Sequence, residues 1–462
     1  MTFNSLQFLV FFMVVTLSFF RLKSQKARIW LLLVASCYFY MSFIPEYILI
    51  LGGTVIVDYF AGLQIDRSEG RSRKAWLVLS LIANIGVLAV FKYYNFFIDN
   101  IQSAGSAMGL KRSLPLLQMA LPVGLSFHTF QAMSYTIEVY RRKQAAERHF
   151  VTYALYVMFY PQLVAGPIER PQNILPQLKE FRAYNYDHVK EGLSRMMWGF
   201  FKKVIIADRL AMIADRTFSH IHDSSSLALF MGAVAYSFQI YCDFSGYSDI
   251  ALGAAKVMNI DLMENFKQPY RSHNITQFWA RWHVSLSSWF RDYVYVPLGG
   301  NRKGAVRRRI NVFIVFLLSG LWHGANWTFV MWGLLHGLAV TFLPGNGKAD
   351  APRSLRTAFF VVANFVLVTF LWIFFRSPNV AAAFSYIAKI FSFTGGSSYV
   401  GVNRAELAFA AILIAIMLWR EKYITTHYIR SNAAFYTYLG LMTAACYYFG
   451  VFIENQFIYF QF

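Results

Sequence analysis

Charge is what this sequence has least of. Of its 462 residues only 14% are Asp, Glu, Lys or Arg, against 57% hydrophobic and 18% aromatic. A soluble domain carries about 25% charged residues, so the composition predicts a polytopic membrane protein. Cysteine is scarce as well. Cys37, Cys242 and Cys446 fall in or beside apolar segments with no metal-like spacing, which argues against a disulfide framework or a cysteine metal site. The soluble-enzyme signatures are missing too. No G-x-S-x-G elbow, HExxH helix, Walker A loop or G-x-G-x-x-G fingerprint occurs, which weakens hydrolase, metalloprotease, NTPase and dinucleotide readings. His220 and His222 stand close without further ligand-type neighbours, so they read as loop residues and no metal is expected. No flexible linker, low-complexity tract or fixed-period repeat breaks the chain, so residues 1–462 read as a single integral domain.

Apolar runs dominate what is present. They include Leu6 to Phe20, Ile29 to Phe43, Tyr47 to Leu63, Ala75 to Phe97, Leu114 to Ile137, Met197 to Ile213, Leu227 to Ile240, Ile310 to Trp322, Trp327 to Phe342, Thr357 to Phe375, Leu407 to Leu418 and Ala433 to Ile453. Crossing a bilayer takes roughly 18 residues or more. Several runs are shorter, so buried or re-entrant helices are expected among them. The N-terminal run lacks a basic n-region and a small-residue cleavage site, and is expected to remain as a transmembrane helix.

A net charge of +20 invites a nucleic-acid reading, which its distribution opposes. The basic residues gather in short loops at Arg21 to Arg28, Arg67 to Lys74, Arg141 to Arg148 and Arg302 to Arg309. The positive-inside rule makes those loops cytoplasmic and, with the first five spans crossing alternately, places the N-terminus outside. Membrane lipids and an anionic cosubstrate are the partners this charge favours, and no nucleic acid is expected. Three less apolar stretches interrupt the pattern: Pro167 to Asn185, Asn259 to Asn301, and a loop from Gly345 to Arg356. In the middle one Trp279, Trp282, Trp289, Phe290, Tyr293 and Tyr295 alternate with Arg281, His283, Arg291 and Asp292, which suits a protein-lined cavity.

Two histidines sit where imidazoles are costly. His323 lies within LLSGLWHGAN, inside an apolar run, and His283 lies in QFWARWHVSLSSWFRDYVYVPLGGNR. An ionisable side chain in such surroundings needs a partner or a task, and two together suggest proton chemistry.

Longer motifs surround them: LPVGLSFHTFQAMSYTIEVYR from Leu121, FYPQLVAGPIERP from Phe159, SFQIYCDFSGYSDIALG from Ser237, FWARWHVSLSSWFRDYVYVPLGGNR from Phe278, LSGLWHGANWTFVMWGLLHG from Leu318, and the terminal FIYFQF. In this order, and nearly end to end, the chain resembles the membrane-bound O-acyltransferases, most closely the membrane subunits of bacterial alginate and polysaccharide O-acetyltransferases. The resemblance implies an all-α polytopic bundle with short or re-entrant helices around a central funnel, in the bacterial cytoplasmic (inner) membrane. It implies acetyl transfer from cytoplasmic acetyl-CoA, with no permanently bound cofactor, toward an exported polysaccharide. A periplasmic SGNH-hydrolase-like acetyltransferase is the implied partner. It also implies that His323 is catalytic and that His283 is the second site residue. His128 stands where the family is expected to have an aromatic residue, and no role is attached to it.

Transfer from a thioester to a hydroxyl needs a base, donors for the developing oxyanion, and exclusion of water. His323 is assigned as the base toward the acceptor hydroxyl, and His283 as positioning the acyl group or stabilising the oxyanion. A transient acetyl-histidine at His323 is the alternative. The competing readings are a core histidine bonded between helices for His323 and an interfacial anchor for His283. Asn326 and Trp327, three and four positions on, are expected to share a helix face with His323 and orient its ring. Arg281, Trp282, Tyr295 and Trp322 are candidates for the donor channel. Arg291 and Asp292 form either an ion pair or contacts to CoA. Gly166, Pro167, Glu169 and Arg170 either line the cytoplasmic entrance or form a solvated loop. Asp243 reads as a buried hydrogen-bond hub, and the Gly320 to Gly324 and Gly333 to Gly337 spacings as close helix approach. Two other functions compete: D-alanyl transfer to a cell-wall polymer from a carrier protein, and a transporter with a histidine proton relay. The long extension beyond His323 favours acetyl transfer over the first, and the lack of repeated halves disfavours the second.

Overall fold

The computed structural model describes residues 1–109, 114–117, 122–163, 166–343, 345, 354–393, 404–424 and 426–452. Most of the expected Gly345 to Arg356 loop, the terminal FIYFQF, and parts of the motifs beginning at Leu121 and Phe159 lie outside them. Among the described residues the regular structure is helical and no strand occurs, as the composition and motifs lead one to expect. Four helices among the described residues are long and apolar enough to cross a bilayer: Tyr47–Arg67, Gly70–Ala107, Ser226–Val257 and Leu355–Arg376. Leu6–Arg21, Trp327–Phe342 and Val380–Phe391 are apolar but shorter.

Two compact units divide the chain. The first holds Met1–Tyr186 and Ala254–Met263. Its helices Tyr47–Arg67, Gly70–Leu88 and Leu125–Tyr140 are tied together by buried polar groups. Asp58 accepts from Ser80 Oγ at 2.6 Å and from Asn84 Nδ2 at 2.8 and 2.9 Å, and Ser80 reaches Thr136 at 3.1 Å. Where lipid is the alternative surrounding, such bonds fix helix register, because an unmet polar group there costs free energy.

The second unit holds Asp187–Gly253 and Glu264–Phe462. Its long helix, Ser226–Val257, extends well past the apolar run Leu227 to Ile240. Helix Tyr186–Phe200 packs against it through glycines: a Cβ on Gly199 would meet the Gly246 carbonyl at 2.6 Å, and one on Gly253 the Gly192 carbonyl at 2.5 Å. Helices Gly304–His323 and Trp327–Phe342 approach in the same way, where a Cβ on Gly333 would meet the Phe316 carbonyl and lie 3.2 Å from Gly320 Cα. The glycine spacings therefore do allow close approach. The run Met197 to Ile213 is not one smooth helix. A π-turn at Phe201–Ala207 interrupts it. The wide turn leaves the Val204 carbonyl to accept from the Val451 N–H at 2.8 Å.

Candidate functional site

Asn274 caps the short helix Ile275–Arg281 by accepting from the Gln277 N–H at 2.8 Å. That helix ends at Trp282, whose N–H donates to the Phe278 carbonyl at 2.8 Å. His283 follows at φ 43°, ψ 56°, in the left-handed region, and Val284–Phe290 begins the next helix. A non-glycine residue held there is strained, a condition that clusters at functional sites. Its side chain is fully buried, with the Phe244 ring edge-on at 4.7 Å and the Trp322 indole at 6.2 Å. Burial pushes the His283 pKa down to about 3, so the ring is neutral at ordinary pH.

His323 is the last residue of helix Gly304–His323 and is 4% exposed. Its ring lies among Trp322, Trp332 and Phe375, with centroids 4.9, 5.0 and 5.2 Å away. Trp322 thus has ring contacts to both histidines. One expectation fails here. The chain turns extended at Gly324, so Asn326 and Trp327 do not continue the His323 helix and share no face with it. Asn326 instead caps the following helix, accepting from Thr328 N–H at 3.0 Å and donating to the Pro378 carbonyl at 3.0 Å. Gly324 stops the helix because its extended backbone, φ −166°, leaves the helical region.

A cavity of about 600 Å³ opens within the second unit. Its wall includes the cations Arg195, Lys202, Lys267, Arg281 and Arg420 and the carboxylates Asp249, Glu264 and Glu421. Arg195 forks onto Glu264 at 2.7 and 2.5 Å and reaches Asp249 at 2.9 Å. Lys202 binds Asp249 at 2.6 Å and Ser245 at 2.9 Å. The Arg420 guanidinium lies 3.9 Å over the Trp198 ring. Deeper still, Lys203 binds both Asp208 and Asp243 at 2.7 Å, which makes Asp243 an ion-pair partner in the core.

Of the candidate channel residues, Arg281 lies on this wall. Trp282 is buried, stacked on Phe278 at 5.5 Å and packed on Trp372 at 5.0 Å. Arg291 and Asp292 form an ion pair of 2.8 Å, the first of their two readings, with Arg291 exposed. That bond raises the Arg291 pKa further. Tyr295 is half-buried in the π-turn Arg291–Tyr295, beside Gly300. Gly166, Pro167, Glu169 and Arg170 belong to the first unit. There Glu169 is fully buried, so the solvated-loop reading fails. Its carboxylate accepts from Asn173 Nδ2 at 2.7 Å and from the Met263 N–H at 2.5 Å, while burial pushes its pKa up. Arg170 donates to Ser134 Oγ at 3.2 Å.

Sequence reasoning missed His336. It is fully buried on the helix after His323, its Nδ1 accepting from Trp279 Nε1 at 3.2 Å and its ring 4.8 Å from Trp332. The signal was available, since Trp332 and His336 are one helical turn apart on an apolar helix. Arg195, Lys202 and Lys203 were missed as well, hidden in or beside a run read only for its hydropathy.

The profile of the membrane-bound O-acyltransferase family, MBOAT, matches residues 76–386. A probable alginate O-acetylase of Pseudomonas aeruginosa is 40% identical over 409 residues, covering 88% of this chain and 78% of that one. A peptidoglycan O-acetyltransferase of Helicobacter pylori is 36% identical over 403 residues, 80% of this chain and 75% of its own. A teichoic acid D-alanyltransferase of Bacillus subtilis is 30% identical over 230 residues, 47% of this chain and 58% of its own.

Proposed function

Since the chain belongs to the membrane-bound O-acyltransferase family and is a membrane-bound acyltransferase, we propose that it O-acetylates an exported polysaccharide such as alginate. The acetyl group comes from cytoplasmic acetyl-CoA and crosses the bilayer through this protein. The enzyme lies in the bacterial inner membrane with its N-terminus outside. No cofactor stays bound, and a periplasmic SGNH-hydrolase-like acetyltransferase completes the delivery.

The observation that supports this best is the basic cavity. Arg281 lies on its wall, two residues before the buried His283. Five cations face three carboxylates there, so the wall favours an anionic ligand even after its internal ion pairs are counted. CoA phosphates dock on this wall while the uncharged thioester reaches toward the histidines. The low-charge interior then excludes water that would hydrolyse it. His323 takes the proton from the acceptor hydroxyl as that oxygen attacks the thioester carbonyl. His283 positions the acyl group or stabilises the oxyanion. As the tetrahedral intermediate collapses, the C–S bond breaks, the thiolate leaves, and the proton from His323 returns to it.

Titration calorimetry of the purified protein with acetyl-CoA tests the reading. Binding is expected, and Arg281→Glu should weaken it about tenfold or more, since a favourable charge contact becomes a repulsive one. Absence of binding, together with turnover that requires an acylated carrier protein, would instead favour the D-alanyl-type reaction named for the Bacillus subtilis relative.

A further inference from the structure

We propose that Asn265 and Ser285 are positioning residues that hold His283 as its Nδ1–H tautomer and so present Nε2 as a hydrogen-bond acceptor. The inference rests on the reading of His283 as part of the acyl-transfer site, and it replaces oxyanion donation by the holding of a hydrogen-bond donor.

The strained turn at His283 is held from both sides by one neighbouring segment. Lys267 N–H donates to the Arg281 carbonyl at 3.0 Å, and Val284 N–H donates to the Asn265 carbonyl at 2.9 Å. Side chains complete the clamp. Ser285 Oγ donates to Asn265 Oδ1 at 2.7 Å, and Asn265 Nδ2 donates to Ser248 Oγ on the long helix at 3.2 Å. All of Asn265, Ser285 and Ser248 are buried.

A serine hydroxyl has one proton to give. With that proton directed to Asn265, the Ser285 oxygen facing His283 Nδ1 at 3.5 Å acts only as an acceptor. A neutral imidazole then carries its single proton on Nδ1 and leaves Nε2 unprotonated. Such a nitrogen orients an incoming N–H or O–H donor, whereas an oxyanion needs a ring N–H. Asn265 and Ser248 also lie on the wall of the donor cavity, so the clamp links that wall to the imidazole.

Five variants test this, measured as thiol release from acetyl-CoA by the detergent-solubilised protein in the presence of its periplasmic partner and the polysaccharide acceptor. Ser285→Ala removes the oxygen that selects the tautomer, and kcat should fall about tenfold or more with KM for acetyl-CoA little changed. Ser285→Thr keeps the hydroxyl and should restore most of the loss. Asn265→Asp keeps the acceptor for Ser285, so at saturating acetyl-CoA its kcat should exceed that of the similarly shaped Asn265→Leu, which should fall with Ser285→Ala. Equal kcat in the Ala and Thr variants, or a loss confined to KM, would overturn the proposal. If Ser285→Ala and Asn265→Leu do not fold, Ser285→Thr still decides, since an inactive, folded Ser285→Thr contradicts it. His283→Ala separates the two levels of inference. Full turnover in that variant ends the catalytic reading itself. Loss of turnover there, with Ser285 and Asn265 replaceable at will, ends only the tautomer clamp.

Discussion

Single side chains carry the chemistry, and His323 carries the sharpest expectation. His323→Ala should lower acetyl transfer by a factor of about 10² to 10⁴, the usual worth of a positioned base. Membrane yield and monodispersity should stay near those of the parent. Acetylated polymer at parental levels from a well-expressed variant would remove His323 from the mechanism. His283→Ala should be severe, with a residual rate consistent with positioning. Both histidines were legible in the sequence because an imidazole amid apolar and aromatic residues stands out against its surroundings. Asn265 and Ser285 were not, since their significance arises from a contact across 20 residues of chain, and nothing in their local composition distinguishes them from ordinary helix and loop residues. His336 carries the same mark as the other two histidines, one turn from Trp332 on an apolar helix.

Helices were legible by hydropathy, but not every interruption was. The run Met197 to Ile213 stays largely apolar through its π-turn, whereas the break at Gly324 falls between the separate runs Ile310 to Trp322 and Trp327 to Phe342. Glycine spacing did mark the close pairing of Gly304–His323 with Trp327–Phe342. Gly333→Val should therefore separate those helices, because its new side chain would run into the Phe316 carbonyl. A loss of about 1–3 kcal/mol is expected from such overpacking, seen as a lower thermal midpoint in detergent. Asn326→Ala, which removes a helix cap, should cost about 1 kcal/mol on the same measurement. Equal midpoints for Gly333→Val and the parent would mean that the two helices are not held by backbone contact.

For the molecule as a whole, orientation decides which compartment supplies the acyl donor. With native cysteines replaced, a cysteine introduced at Lys303 should resist a membrane-impermeant thiol reagent in intact cells and react once the cells are opened. Efficient labelling from outside would reverse the assigned topology and with it access to cytoplasmic acetyl-CoA. The left-handed backbone at His283 bears on the same whole molecule in another way. A β-carbon in that conformation costs roughly 1 kcal/mol that glycine does not incur. His283→Gly should accordingly melt above His283→Ala, the reverse of the usual order for these two residues, although neither restores turnover. A screen for heat resistance confined to small residues at this position should choose glycine over alanine and return well-folded protein of little activity.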